Sequence, residues 1–506
     1  MSATKSLTEL LQQGQVDAPA ISAPDRADLT YGDLRKLAQN TVSRLNELGI
    51  GRGDRVAIVL PNGPEMASAF ITIGCGATTA PLNPDYKADE FEFYLKDLSA
   101  KALVVLGGSD SAAVAVAKKI GVSILELHVP EGAVAGEFEL KGSTTKSTKI
   151  PGVAEPEDIA LILHTSGTTS RPKIVPLSHV NVCASARNIA KSLDLTSADK
   201  CLNVMPLFHI HGLIAAVLSS LHAGASVNCT PGFNALKFFS WMDEATPSWY
   251  TAVPTMHQAI LARGPRNADS IKNAKLRFTR SSSASLPPQV MKSLEEMWGC
   301  PVVEAYGMTE AAHQMAANPL PPAKRLPGSV GVASGPEVAI MSEDGALLKA
   351  GETGEIVIRG DNVTKGYENN PAANAEAYTN GWFRTGDQGI VTDGGYISIT
   401  GRLKEIINRG GEKISPREVD EILMNHSAVE QVVTFAIPHD KLGEEVGAAV
   451  VLRDGQNTTE AELRDFAAKS LAAFKVPRKI KMLDEIPKGA TGKLQRIGMA
   501  EKLGMI

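Results

Sequence analysis

The sequence predicts an α/β protein: a large N-terminal domain of parallel-rich α/β subdomains, a small β-rich subdomain, and a small α+β C-terminal domain. Three observations carry this. Apolar strand segments alternate with helical segments through the first part of the chain. From Val338 to Ile399 the texture changes to short alternating strands between Gly, Asp and Asn turns. After Gly401 a helix–strand pattern starts afresh.

Each element follows from its own signal. Leu34, Leu37, Ala38, Val42, Leu45 and Leu48 recur at helical spacing, so Tyr31–Leu48 reads as an amphipathic helix, closed by Gly49 and Gly51. Arg55–Leu60 reads as a buried strand and Pro64–Gly76 as a helix, and Ala102–Leu106 and Ile159–Leu163 are further strands. The proline-dense Asn318–Pro327 is expected to be an exposed crossing segment. Glu355–Arg359 and Tyr396–Thr400 are the strands of the small subdomain, and Arg417–Met424 (helix), Val429–Ile437 (strand) and Thr459–Leu471 (helix) follow it. A chain of 506 residues is too long for one core. The boundary is placed near Arg402–Glu405, giving domains 1–402 and 403–506. No internal repeat or low-complexity tract is found.

Composition narrows the function classes. Apolar residues make up 43% and charged residues 21%, as in a globular protein. A net charge of −5 argues against a nucleic-acid-binding surface, and 5% aromatics leave few stacking platforms for bases. Cys75, Cys183, Cys201, Cys229 and Cys300 are odd in number and never at metal-ligand spacing, which disfavours a disulfide framework or a zinc site. The N-terminus has no apolar signal core and no run of about 18 apolar residues spans a bilayer; GLIAAVLSSLHAG is short and contains His222. The final Gly-Met-Ile is not a peroxisomal ending. A cytoplasmic location without membrane partners is expected.

Four motifs carry chemistry. Thr165-Ser166-Gly167-Thr168-Thr169-Ser170-Arg171-Pro172-Lys173 follows a strand and offers a glycine, five hydroxyls and a terminal cation to phosphate oxygens. It is not a Walker loop, and a Ser/Thr-rich surface turn is the bland alternative. Tyr306-Gly307-Met308-Thr309-Glu310 supplies an aromatic face, a hydroxyl and a carboxylate able to hold Mg²⁺. Thr385-Gly386-Asp387 and Gly401-Arg402 supply a carboxylate for ribose hydroxyls and an arginine to bridge ribose and phosphate; a turn Asp and a surface Arg are the alternative. Pro487–Lys493 ends in a lysine on a glycine-bounded loop.

The nonapeptide resembles the phosphate loop of the adenylate-forming superfamily, which comprises acyl-CoA synthetases, carrier-loading adenylation domains and luciferases. It departs from TSGTTGxPKG at Ser170 and Ile174, where that pattern has glycines. The other motifs follow in the family's order from about Leu29 to Arg496. The resemblance implies a two-step, ATP-dependent reaction in which an acid attacks the α-phosphate with release of pyrophosphate and the acyl-adenylate then reacts with a thiol. It assigns ATP contacts to Thr165, Ser166, Gly167, Thr168, Thr169 and Lys173. It makes Ser283, Ala284, Ser285, Glu304 and Ala305 pocket walls. Tyr306 stacks on the base beside Gly307 and Met308, Thr309 touches the α-phosphate, and Glu310 binds Mg²⁺. Asp387 and Arg402 take the ribose, and Lys493 is the catalytic lysine of adenylation. A lysine suits that role because two anions must meet there. Lys404 corresponds to the hinge of a mobile lid, and Gly410, Gly411 and Glu412 line the tunnel for the pantetheine arm of coenzyme A. His209 resembles the gate at the acid-site entrance.

For the acid, FHIHG, RSSSAS, GMTEAAH, NVTKGY and IINRGGEKISP look like those of the oxalyl-CoA synthetases of plants and fungi. His211, Arg280 and His313 would then face the acid together with Ser283, and oxalate is the expected substrate. The residues alone leave His211 open as a core histidine, Arg280 as the partner of a nearby carboxylate, and His313 as a helix cap. Other readings are a CoA ligase for another small or aromatic acid (malonate or 4-coumarate-like), a stand-alone carrier-loading adenylation enzyme, and a scaffold that has lost catalysis. Intact Lys173, Glu310, Asp387, Arg402 and Lys493 argue against the last.

Overall fold

The computed structural model describes residues 4–143, 148–165, 172–487 and 495–506. Contacts divide the chain into two units, one comprising 1–165, 173–338 and 358–383, the other chiefly 339–357 and 384–506.

The first unit contains two large sheets. One has seven strands, with Arg55–Val59 between Thr78–Pro81 and Ala102–Leu106, all parallel, and Ile159–Thr165 paired antiparallel to Lys173–Ser178 at one edge. The other has nine strands, in which Lys200–Asn203, Trp249–Ala252, Phe278–Ser281 and Val302–Met308 are successive parallel neighbours. His313–Ala317 then turns back antiparallel on Val302–Met308. Strands buried on both faces read as continuous apolar runs, which is why Arg55–Val59 and Ala102–Leu106 show no alternation in the sequence. Phe91, Leu103, Val105 and Ala117 are part of the core beside the first sheet, and Phe238, Tyr250, Leu294 and Trp298 part of that beside the second.

Helices begin and end where local chemistry allows. The helix Tyr31–Glu47 starts at Thr30, whose hydroxyl accepts from the Asp33 amide, and the chain leaves it through Gly49 at φ +76°. Pro64–Gly74 begins with proline at its first position. Asn318–Pro327 departs from expectation at one end: residues 321–324 are exposed, but Asn318 is buried, accepting from the Leu326 amide (3.0 Å) and donating to the Ser329 carbonyl (2.6 Å). Its carboxamide closes the loop that the prolines open.

In the second unit Asp387–Val391 pairs antiparallel with Ile397–Arg402, and Val429–His439 forms a hairpin with Gly443–Leu452. Pro416–Met424 and Glu460–Ala468 pack on that hairpin through Val419, Leu423 and Leu463. Thr459 and Glu462 form a capping box that starts the second of these helices. All five cysteines are buried free thiols. No helix among the described residues is long and apolar enough to cross a membrane.

Candidate active site

Open α/β sheets bind ligands beyond the carboxyl ends of their strands, and three parallel strands of the nine-stranded sheet converge on such a place. Thr251 and Arg280 are cross-strand partners, and Tyr306-Gly307-Met308 close the strand that follows and pairs with that of Arg280. The following turn carries Thr309 and Glu310, and His313 opens the antiparallel return.

Arg280 lies at the centre of a polar cluster and is fully buried. Its Nη1 donates to His211 Nε2 and Thr251 Oγ1, both at 3.3 Å. Its Nη2 donates to His313 Nε2 at 3.2 Å and to Gln314 Oε1 at 3.1 Å. No Asp or Glu is among these partners, and Nε has none. A lone guanidinium is thus held in the interior by neutral groups. Burial pulls it down to about 9, which leaves it protonated at neutral pH. The terminal nitrogens are engaged within the cluster, so Arg280, expected to face the acid, does not present a free two-pronged fork to a ligand carboxylate in this arrangement.

Arg280 instead determines how two imidazoles face. The His211 and His313 rings are stacked at 5.0 Å with a 19° interplanar angle. Both Nε2 atoms accept from Arg280, and His211 Nε2 also accepts from the Thr251 hydroxyl at 2.6 Å. The hydrogen-bond pattern therefore assigns the proton to Nδ1 in each ring. His211 Nδ1 donates to Ser283 Oγ at 3.0 Å, and Ser283 is exposed. His313 Nδ1 points towards Gly307, where a Cβ would come within 3.1 Å of it and would overlap the His313 carbonyl. Burial first, then each ring's neighbours (His313 and Arg280 for His211, Arg280 for His313), hold both histidines well below the usual imidazole range, so both are neutral donors.

The backbone is bent to make this cluster. His211 opens a π-helical turn, His211–Leu218, a geometry that recurs at functional sites. Ser283, Ala312 and His313 have φ of +72°, +47° and +98°, sparsely populated for side-chain-bearing residues. The pairing register slips between Tyr306↔Ala316 and Gly307↔Gln314, leaving Met315 as an extra residue. Neighbours on a regular strand point to opposite faces. The bulge and the positive φ together let His313 and Gln314 both reach Arg280.

A second group surrounds Glu310. The Tyr367 hydroxyl donates to Glu310 Oε1 at 2.8 Å, and Lys173 Nζ lies 4.3 Å from the centre of the Tyr367 ring. Thr364 donates from its amide to the Glu310 carbonyl (2.7 Å) and from its hydroxyl to the Pro176 carbonyl (2.8 Å). Asn362 donates to the Ala311 and Gln314 carbonyls at 2.8 and 3.0 Å. The NVTKGY segment thereby ties the Thr309–Gln314 turn to the strand that begins at Lys173. Among the described residues no cluster of three or more His, Cys, Asp or Glu could form an all-protein metal site. Mg²⁺ asks for less, one or two carboxylates with substrate phosphates, and the oriented Glu310 fits that demand.

The structure thus brings His211, Arg280, Ser283, His313, Glu310 and Lys173 into the first unit, in two groups, Lys173 joining the second through the Tyr367 ring. Thr165 is the cross-strand partner of Lys173. Tyr306 and Ala305 are buried at the end of their strand, and Glu304 accepts from the Leu286 amide at 2.9 Å. Ala284 is exposed, while Ser285, Met308, Thr309 and His209 are partly exposed. In the second unit Asp387 and Arg402 are cross-strand partners joined by a 3.0 Å ion pair. Lys404 is exposed in a short helical turn. Its neighbour Glu405 is held by Arg496 (3.2 Å), which also pairs with Asp420 (2.7 Å). Gly410 and Gly411, at φ +60° and +100°, form the two-residue turn of a hairpin, and Glu412 follows on its second strand. Ser166, Gly167, Thr168, Thr169 and Lys493 lie outside the described residues. Sequence reasoning missed Gln314 and Tyr367 as parts of the site. Tyr367 alone had a signal, in the NVTKGY motif.

The family model of AMP-binding enzymes matches residues 9–368, and that of the AMP-binding enzyme C-terminal domain matches 418–493. An oxalate–CoA ligase of Arabidopsis thaliana is 46% identical, over 95% of this chain and 94% of the relative. An oxalate–CoA ligase of Saccharomyces cerevisiae is 41% identical, over 96% and 94%. The crystal structure of ATP-bound MatB from Rhodopseudomonas palustris superposes with a TM-score of 0.88 at 28% identity, covering 98% of each chain. The chain belongs to the AMP-binding enzyme family, within the adenylate-forming superfamily, and its likeness there extends to the oxalate–CoA ligases.

Proposed function

We propose that the protein is an ATP-dependent acid–CoA ligase whose acid is oxalate. The observation that carries the choice of acid is the buried, carboxylate-free Arg280 behind two neutral imidazoles. Oxalate has two carboxylates one bond apart. One attacks the α-phosphate, and the other would lie against the buried Arg280 cluster, where an unpaired anion costs several kcal/mol. His313 donates to it through Nδ1–H, His211 acts through the Ser283 hydroxyl that its Nδ1–H holds, and Arg280 supplies positive charge behind them. An apolar acid of equal size would leave these groups unanswered, so rejection is sharp rather than graded. The named substrate of the Arabidopsis and yeast relatives supports the same reading.

In the first step Lys493 relieves the repulsion between acid and ATP, Thr309 and Lys173 hold phosphates, and Asp387 and Arg402 hold the ribose. Mg²⁺ on Glu310 would neutralise phosphate charge. The acyl-adenylate then passes its acyl group to coenzyme A, with residues 403–506 swinging at Lys404 and Gly410, Gly411 and Glu412 lining the thiol tunnel. The buried free thiols suit a cytoplasmic setting.

The test is a panel of acids. Oxalate is expected to exceed acetate, cinnamate and medium-chain fatty acids by at least about 100-fold in kcat/KM, roughly 2.7 kcal/mol. His211→Ala or His313→Ala should lower that ratio more than it weakens ATP. A fatty acid or cinnamate turning over faster than oxalate refutes the choice of acid.

A further inference from the structure

Gln314 is fully buried, and its side chain is oriented from both ends. Its Oε1 accepts from Arg280 Nη2 at 3.1 Å. Its Nε2 donates to Ser192 Oγ at 2.9 Å and Ser334 Oγ at 3.1 Å. These two donations fix which end of the amide faces Arg280, and Asn362 holds the Gln314 carbonyl as well. A position beside a buried guanidinium is where a carboxylate would ordinarily stand, because it would satisfy both geometry and charge. Here a neutral amide stands instead. It gives Arg280 the hydrogen bond of a partner without cancelling its charge.

We propose that Gln314 is a specificity-determining residue of the acid site: it positions Arg280 while leaving its charge for the second carboxylate of a dianionic acid. This rests on the acid-site reading above. A carboxylate at this position would pair with Arg280, and the pocket would then meet a dianion with no net positive charge. The bulge at Met315 allows this, since it turns Gln314 to the same side as His313.

The experiment compares the full-length wild type with Gln314→Glu and the neutral near-isostere Gln314→Met. Fold is checked by circular dichroism and thermal melting, and oxalate binding by calorimetry as well as kinetics. Gln314→Glu should raise the KM and Kd for oxalate by about 100-fold or more, with a much smaller change in kcat. Gln314→Met keeps the charge on Arg280 and should lose less than about tenfold. Equal losses in the two variants would make Gln314 a packing residue and overturn the proposal. So would an oxalate KM in Gln314→Glu within about threefold of wild type. Should Gln314→Glu fail to fold, Gln314→Met carries the test: a KM rise of about 100-fold there would also overturn it. If the wild type prefers another dianionic acid, the same comparison is made with that acid and the choice of oxalate alone fails. A wild type preferring an apolar monoanionic acid would sink both.

Discussion

Replacing Tyr367 by Phe removes one oxygen from the centre of the Glu310 group. The lost contact is a 2.8 Å hydrogen bond to a carboxylate that is only 6% exposed. Hydrogen bonds to charged groups contribute about 1.5–3 kcal/mol, which corresponds to about 10- to 100-fold in rate if the orientation of Glu310 matters in the transition state. The ring that carries Lys173 is kept, so the cation–π contact at 4.3 Å survives. ATP–pyrophosphate exchange, measured across a Mg²⁺ titration, reads the consequence: a lower maximal rate and a higher Mg²⁺ requirement, with the oxalate KM little affected. Tyr367→Ala should lose about a further 2- to 30-fold, because Lys173 then loses its platform, typically about 0.5–2 kcal/mol. A Phe variant within about twofold of wild type at every Mg²⁺ concentration would show that Glu310 needs no such support, and the argument from Tyr367 would fall.

Lys493→Ala should abolish adenylate formation while sparing thioester formation from preformed acyl-adenylate; equal loss in both half-reactions would make Lys493 structural. Lys404→Pro fixes φ and removes a backbone donor, so pyrophosphate release should continue with little CoA thioester, and unchanged thioester turnover would place the pivot elsewhere. Stability should fall in acid. His179, His211, His257 and His313 are buried, and burial lowers all four, His179 and His257 to about 4. The folded state refuses protons that the unfolded chain accepts below about pH 6.5, so their contribution is present above that pH and lost as pH falls towards 4, at about 1.4 kcal/mol per unit per histidine. A thermal midpoint that stays flat or rises between pH 6.5 and 5 would contradict this.

Much of the fold was legible because its signals are local. Helix starts such as Thr30 and Thr459 rest on hydroxyls a few residues from the amides they cap, and element ends fell within a few residues of expectation. The family was legible for the same reason, its motifs being contiguous stretches of chain. The inner wiring was not. That Arg280 meets no carboxylate depends on residues far apart in the chain, Thr251, His211 and Gln314, converging across strands. Gln314 has no sequence signal, because ordinary strand alternation would turn it away from His313. The π-helical turn at His211 likewise has no sequence signature of its own.

The extra residue at Met315 has a consequence for transplanting specificity. Side chains are easily exchanged between relatives, but the phase of a strand is not. In a relative lacking the bulge, a histidine and a glutamine placed at the corresponding positions would diverge to opposite faces, and a grafted arginine would be left without its seat. Conversely, deleting Met315 here would shift the strand's phase while every polar residue of the cluster stayed in the chain. On the proposed reading, recognition of the acid is a property of backbone spacing as much as of residue identity, and redesign of this cluster has to begin with the strand.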